Sequence, residues 1–421
     1  MSQQSSAPDP ELTARSGSIW RLPGLLPLVL VSVMGFGGFA SLMSVVPLWV
    51  VRGGATETGS GMVTTTLLIA TVITQTFVPR LLTRFGHALV LSAGLILLGL
   101  PALGFWLSAD LLPVLGLSAI RGIGFGILTV TGSAVVADLA PPDRRGAAIG
   151  VYGLGIAVPN LIFLPFSVVL VGGAGFGPVF VAGAMPLLGI PAAVALGRVL
   201  RRRRESSASK TAQRTGARAP GRRRAMLRLM LPAGVLMSVT LAGGALMTFL
   251  PQMTSRMMTD RSGWLAMAGL LVLNATGAFT RWWIGGVADR RGAGRLMIPQ
   301  LALGAIGMTL LAASLGTGSV VLLLVGIGLV GCAYGALQNL TLLSAFQQVD
   351  RSMTNTASAV WNIGFDAGTA FGSLVLGVIA TQAGFVPGVI VLGMLILASV
   401  PMAWRLAVRP QPEGLAVGAD R

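Results

Sequence analysis

Apolar stretches of about 20–28 residues recur along nearly the whole chain, separated by short polar breaks and one long one. They fall near 23–49, 61–82, 88–107, 111–138, 146–171 and 174–197, then near 226–250, 263–288, 295–316, 318–346, 354–380 and 383–406. As α-helices rising about 1.5 Å per residue, each is long enough to cross a hydrocarbon core of about 30 Å. Hydrocarbon offers no water to backbone N–H and C=O groups, so such segments become helices. The pattern predicts an all-α integral membrane protein of twelve transmembrane helices. It divides into a bundle over 20–197, a basic linker over 198–225 and a bundle over 226–408, with polar ends at 1–19 and 409–421.

The long polar break reads RVLRRRRESSASK from Arg198 and closes with GRRRAMLR at Arg228. Arginine at the bilayer centre costs several kcal/mol, so this stretch lies outside the hydrocarbon. Placing it on the cytoplasmic side puts 25 of the 30 basic residues there, including Arg80, Arg84, Arg290, Arg291 and Arg405. That asymmetry orients the chain, with both termini cytoplasmic, in a cytoplasmic membrane.

A mean hydropathy of +0.81 places the chain outside the soluble globular range. The net charge of +17 does not imply nucleic-acid binding, because the cations gather at span ends and in one loop. Anionic lipid at the 198–228 loop is the better partner for them. One histidine, His87, and one cysteine, Cys332, leave no metal-ligand cluster and no intrachain disulfide.

The chain also repeats itself. FVPRLLTRFG at 77–86 aligns with WIGGVADRRG at 283–292, and VYGLGIAVPN at 151–160 aligns with VWNIGFDAGT at 360–369. Asp143-Arg144 recurs as Asp350-Arg351, and Pro47 corresponds to Pro251. Matches in one order at nearly one offset predict two parallel, pseudo-symmetric six-helix bundles about a shared central site.

The loop GGVADRRGAGR at 285–295 resembles the signature loop of the major facilitator superfamily. The resemblance implies a latch for one access state built from Gly286, Asp289, Arg290 and Gly292. A carboxylate near a helix N-terminus gains roughly 0.3–1 kcal/mol. The corresponding loop at 79–88 departs from the pattern, with Thr83 where the acid belongs and His87-Ala88 after Gly86. Asp138, at the end of the fourth span, is a candidate partner for Arg84, His87 or Arg144 there; a helix-end acid facing water is its other reading.

Two ionisable residues lie deep within spans. Arg121 is about 15 Å into the fourth and Asp366 about 18 Å into the eleventh, by helical rise. Charges at such depth are expensive and mark function. LSAIRGIGFG around Arg121 resembles in part the family's span-four arginine motif, and the GIAVPN stretch resembles its span-five exporter motif. The resemblance implies that Asp366 takes up and releases a coupling proton while Arg121 tunes it or contacts substrate. A fixed ion pair or a hydrogen-bonded structural acid is the alternative. Trp282 and Trp283, beside Arg281, read as an interfacial belt with a snorkelling arginine.

In the superfamily, spans one, four, seven and ten line the cavity. The matching residues are Met34, Phe39, Met43, Phe125, Thr129, Met237, Met247, Phe249, Tyr334, Gln338 and Asn339. Methionine and aromatic walls with a few amides suit small hydrophobic or amphipathic molecules. Proton-coupled efflux by alternating access, by a monomer with no bound cofactor, is the reading this supports. Uptake of a small organic anion with Arg121 as clamp, or a membrane-embedded lipid-handling protein, stays open. No paired nucleophile and base, metal spacing or phosphate loop points to an enzyme.

Overall fold

The computed structural model describes residues 22–139, 145–208, 222–257, 262–349 and 353–408, and every regular element among them is helical. The first part of the chain forms α1 (Leu25–Met43), α2 (Val45–Arg52), α3 (Glu57–Gly104), α4 (Leu111–Leu139) and α5 (Arg145–Ala174). It continues as α6 (Gly177–Gly183), a 3-10 turn (Met185–Gly189) and α7 (Ile190–Ala208). The second part forms α8 (Arg222–Met257), α9 (Ser262–Arg291), α10 (Ala293–Thr317), α11 (Val320–Gln347), α12 (Thr354–Ala383), α13 (Phe385–Ala398) and α14 (Val400–Val408).

Eleven helical runs among the described residues are long and apolar enough to cross a membrane, which makes this a multi-pass membrane protein. One of them, α3, has 48 residues. Straight, it would run to about 72 Å, more than twice the thickness of a hydrocarbon core. It is not straight. Gly86 has φ 79 and ψ 165, a conformation that denies the helix its continuation and that glycine adopts without a Cβ penalty. The expected spans 61–82 and 88–107 lie on either side of it.

Prolines explain the other breaks. α1 gives way to α2 at Ser44, just ahead of Pro47; α6 ends at Ala184, ahead of Pro186; α13 ends at Ser399, ahead of Pro401. A proline removes one N–H and its ring displaces the carbonyl four residues back. At Pro251 the helix runs on unbroken, and the carbonyl four residues back, that of Met247, accepts a hydrogen bond from Ser44 Oγ instead. The linker differs from expectation. Helix α7 continues through the arginine cluster to Ala208, and α8 begins at Arg222, because arginine and alanine favour helix once a preceding turn exists. The ends 1–19 and 409–421, the rest of the linker, and the pairs Asp143-Arg144 and Asp350-Arg351 lie outside the described residues.

The repeat is visible in backbone geometry. Gly86 (φ 79) and Gly292 (φ 81) make equivalent reversals, and Gly175 (φ 79) and Gly384 (φ 86) make another pair. Helix crossings repeat as well. A Cβ at Gly122 would lie 2.0 Å from the Leu67 carbonyl, and one at Gly126 would lie 2.7 Å from that of Thr71. The equivalent Gly331 and Gly335 meet the carbonyls of Leu273 at 2.6 Å and Gly277 at 1.9 Å. Thus α4 crosses α3 as α11 crosses α9, backbone against backbone, as small residues allow between membrane helices. Most buried apolar side chains of α8–α14 form one cluster, joined by Ala40, Met43, Leu164 and Val168 from the first part. The two parts meet mainly where α3 packs along α12 and α5 along α9.

Gly335→Ala drives a methyl into the Gly277 carbonyl, an overpacking that costs about 1–3 kcal/mol. The control, Gly153→Ala, meets nothing within 4 Å. The first variant should melt several degrees below the unaltered protein and the second should not, read by thermal unfolding in detergent; equal melting of the two would refute the crossing.

Candidate functional site

Asp366 lies on α12 at 6% exposure. Its direction follows from the glycines around it. Gly368 and Gly372 press against α8, where added Cβ atoms would come within 1.9 Å of Thr240 Oγ1 and of the Leu241 carbonyl. Asp366 and Ala370 occupy the opposite face, toward α3, where Thr65 Oγ1 donates to the Ala370 carbonyl at 2.8 Å. Gln75 Nε2 of α3 donates to Asp366 Oδ2 at 2.8 Å and reaches Thr129 Oγ1 of α4 at 3.3 Å. Gln75 Oε1 is buried and has no hydrogen-bond partner among the described residues.

This bond joins the two parts of the chain, and others continue the seam toward the face opposite Gly86. Thr64 Oγ1 and Thr248 Oγ1 lie 3.1 Å apart, with Ser373 Oγ 2.9 Å beyond Thr248. Gln252 Nε2 donates to Ser60 Oγ at 2.7 Å, and the Thr58 N–H donates to Thr381 Oγ1 at 2.9 Å. At that face Arg256 forms an ion pair with Glu57.

A second polar group lies between α9 and α11. Arg281 Nη1 donates to Gln338 Oε1 at 3.0 Å, and Asn339 Nδ2 donates to the Arg281 carbonyl at 3.0 Å. Tyr334, beside Gly243 and Gly277, lies with its ring tilted at 6.0 Å from that of Phe365, the neighbour of Asp366. This group corrects the expectation of a snorkelling, interfacial arginine. Buried Ala266, Leu270, Leu273, Ile284 and Ala288 trace one stripe along α9 at helical spacing, and Arg281 continues that stripe. Trp282 and Trp283, 77% and 52% exposed, point outward beside it. The stripe was the available signal; the tryptophans obscured it.

Arg121 is brought to neither group. At 2% exposure it donates from Nε to the Leu98 carbonyl and from Nη2 to the Gly38 carbonyl, both at 3.2 Å, with the Phe105 ring 5.8 Å away. It ties α4 to α3 and α1 and does not contact Asp366. The remaining cavity residues divide. Phe39 and Phe125 stack at 3.9 Å, with Phe36 edge-on, and Thr129 joins Gln75. Met43 and Met247 pack where α1 and α2 meet α8, and Met237 packs its backbone on Gly368. Two expectations are corrected. Met34 lines an outer apolar groove with Leu30, Leu188 and Ala192, because it faces α7. Phe249 is fully buried against Phe385 and touches the space above Gly61 and Gly377, where it fills a helix junction.

Residues 28–364 match the family model described as Major Facilitator Superfamily. The chain belongs to the Major Facilitator Superfamily. It is therefore a transporter and not an enzyme. None of the curated proteins matches the chain. Among solved structures, a bacterial homologue of the human lysosomal transporter Spinster, inward-facing and unoccupied, is similar at a TM-score of 0.72 and 14% identity, over 93% of this chain and 98% of that one. The peptide transporter POT, as a mutant, is similar at 0.72 and 15%, over 96% and 99%. The nucleoside transporter NupG, also as a mutant, is similar at 0.64 and 14%, over 91% and 98%. These likenesses are of fold.

For a major facilitator protein the geometry singles out a seam between chain halves that carries one buried acid. Of the signature-loop residues, Gly292 takes a positive φ ahead of α10 and its N–H bonds the Ala288 carbonyl at 2.9 Å. Gly286, Asp289 and Arg290 lie on the end of α9; their side chains, like that of Asp138, lie outside the described residues.

Arg121 and Asp366 should separate in a stability test. Arg121→Ala opens a cavity and strips two carbonyls of a donor, lowering stability by about 3 kcal/mol or more. Asp366→Asn keeps an acceptor for Gln75 and should melt within a few degrees of the unaltered protein. Thermal unfolding in detergent reads both.

Proposed function

We propose that this superfamily member is a secondary active transporter that exports small amphipathic molecules from the cytoplasm by alternating access, driven by protons entering through Asp366. One observation carries this reading. Asp366 is a buried acid whose hydrogen-bond partner, Gln75, sits on the other half of the chain. The amide donates to the carboxylate, and its unpartnered Oε1 would accept from the protonated acid. One side chain thus serves both protonation states, and parting the halves exposes the acid to a different surrounding. A change of surrounding shifts a buried carboxyl's proton affinity, which couples the proton to the motion.

With α3 counted as two passes about Gly86, the chain makes twelve passes in two six-helix bundles. The basic ends of α7 and α8 then face the cytoplasm of a bacterial-type inner membrane, where exposed Arg201 and Arg202 suit anionic headgroups. On that orientation the Glu57–Arg256 seam is the outer gate, closed here. Asp289 and Arg290 remain the proposed latch of the cytoplasmic side. Uptake of a small organic anion is the second reading, favoured by Arg281; Arg121 is spoken for by carbonyls and does not serve as its clamp.

Cells producing the protein should outgrow control cells on a panel of small amphipathic toxic compounds. Asp366→Asn, produced at equal abundance, should protect no better than the control. Exchange without a pH gradient, measured in proteoliposomes with a compound so identified, should persist in the same variant. Full protection by Asp366→Asn would defeat the coupling.

A further inference from the structure

The repeat places the two polar groups in register. Gln75 lies eleven residues before Gly86, and Arg281 lies eleven before Gly292. Thr129 follows Gly126 by three, and Gln338 follows the equivalent Gly335 by three. The bond between Gln75 and Thr129 and the bond between Arg281 and Gln338 are therefore the same contact, made once in each half. The interfaces correspond too: α3 packs along α12, and α9 packs along α5. What differs is the residue across from each. Gln75 meets Asp366, whereas the repeat sets Ala157 of α5 at the position equivalent to Asp366.

So one half holds an amide bonded to a carboxylate, and the other holds a guanidinium whose matched position on α5 carries alanine. Among the described residues no acid lies within ion-pair reach of Arg281. Its side chain is exposed, while its backbone falls on the buried stripe by which α9 packs against other helices. Gln338 uses one N–H and orients the fork; the others remain free for a planar acceptor. Tyr334 and the half-buried Phe365 supply an apolar wall nearby.

We infer that Arg281, oriented by Gln338 and Asn339, binds the carboxylate of a transported molecule that has one negative charge and an apolar body, the substrate's carboxylate standing where Asp366 stands in the other half. This rests on the transporter reading and names its substrate class. It does not depend on the direction of transport or on proton coupling.

The test is equilibrium binding to the purified full-length protein in detergent at neutral pH, followed by thermal stabilisation. The probes are phenylpropionate, phenylpropanol and phenylpropylammonium, which share a body and differ in head charge. The unaltered protein should be half-saturated by the carboxylate at about tenfold lower concentration than by the alcohol, as charge-assisted bidentate bonds provide. Arg281→Gln should bring the two within about twofold, chiefly by weakening the carboxylate. Arg281→Lys, which keeps the charge and loses the fork, should retain a preference reduced severalfold. No preference for the carboxylate in the unaltered protein, or an undiminished preference in Arg281→Gln, overturns the assignment. Because no gradient is present, loss of proton-driven transport in Asp366→Asn leaves this outcome unaffected, and the two readings fail separately.

Discussion

A polar group that loses its partner inside a bilayer has no water to turn to, and this constraint organises the molecule. Its hydroxyls mostly bond back to their own helices, as Ser32 does to Leu28, Thr254 to Leu250 and Thr280 to Thr276. Its proline-freed carbonyl at Met247 is taken by Ser44. Arg121, the most costly group to bury, is held by two carbonyls and a ring. Against that background the incompletely satisfied groups stand out, among them buried atoms of Ser92, Ser118, Thr131 and Gln252. Gln75 Oε1 has no partner among the described residues, and Arg281 meets one amide but no acid. Gln75 lies between the halves, and Arg281 lies between α9 and α11 of the second.

Duplication places two of these groups, Gln75 and Arg281, at matched positions. Two copies of one fold supply two equivalent interfaces, and the carbonyl-on-glycine crossings at Gly122 and Gly331 show how closely the copies still agree. A sequence free to diverge at matched positions can then place an acid in one interface and a cation in the other. Gln75 beside Asp366, where the matched positions carry Arg281 and Ala157, is such a divergence. The asymmetry gives the two matched places different chemistry while the backbone around them stays shared.

Passes, punctuation and deep charges were legible in the sequence because each has a one-dimensional signature. Span length follows from apolar runs, the reversals at Gly86 and Gly292 from the aligned loops, and the weight on Asp366 from its depth. Facing direction was not legible in the same way. In a soluble helix the buried stripe is the apolar one, but here lipid and protein interior are both apolar, so hydropathy does not say which way Met34 or Phe249 points. Met34 faces an outer groove and Phe249 a closed junction for reasons of packing alone. Arg121 and Asp366 looked alike as buried charges; only the carbonyls of Leu98 and Gly38 show that Arg121 ties helices, while Asp366 bonds an amide across the halves.

The seam between the halves sets a condition on any motion. Its bonds run from Thr58–Thr381 through Thr64–Thr248–Ser373 and Thr65–Ala370 to Gln75–Asp366, with Thr248 joining two partners. Parting the halves breaks bonds at several points along this seam. Each hydroxyl can fall back on a carbonyl of its own helix, as Thr65 and Ser373 already do in part, which keeps the cost of opening small. Asp366 has no such fallback on its own helix. Its carboxylate must find a new donor or take a proton when Gln75 withdraws, and that requirement, more than the strength of any single bond, ties the state of the seam to the state of the acid.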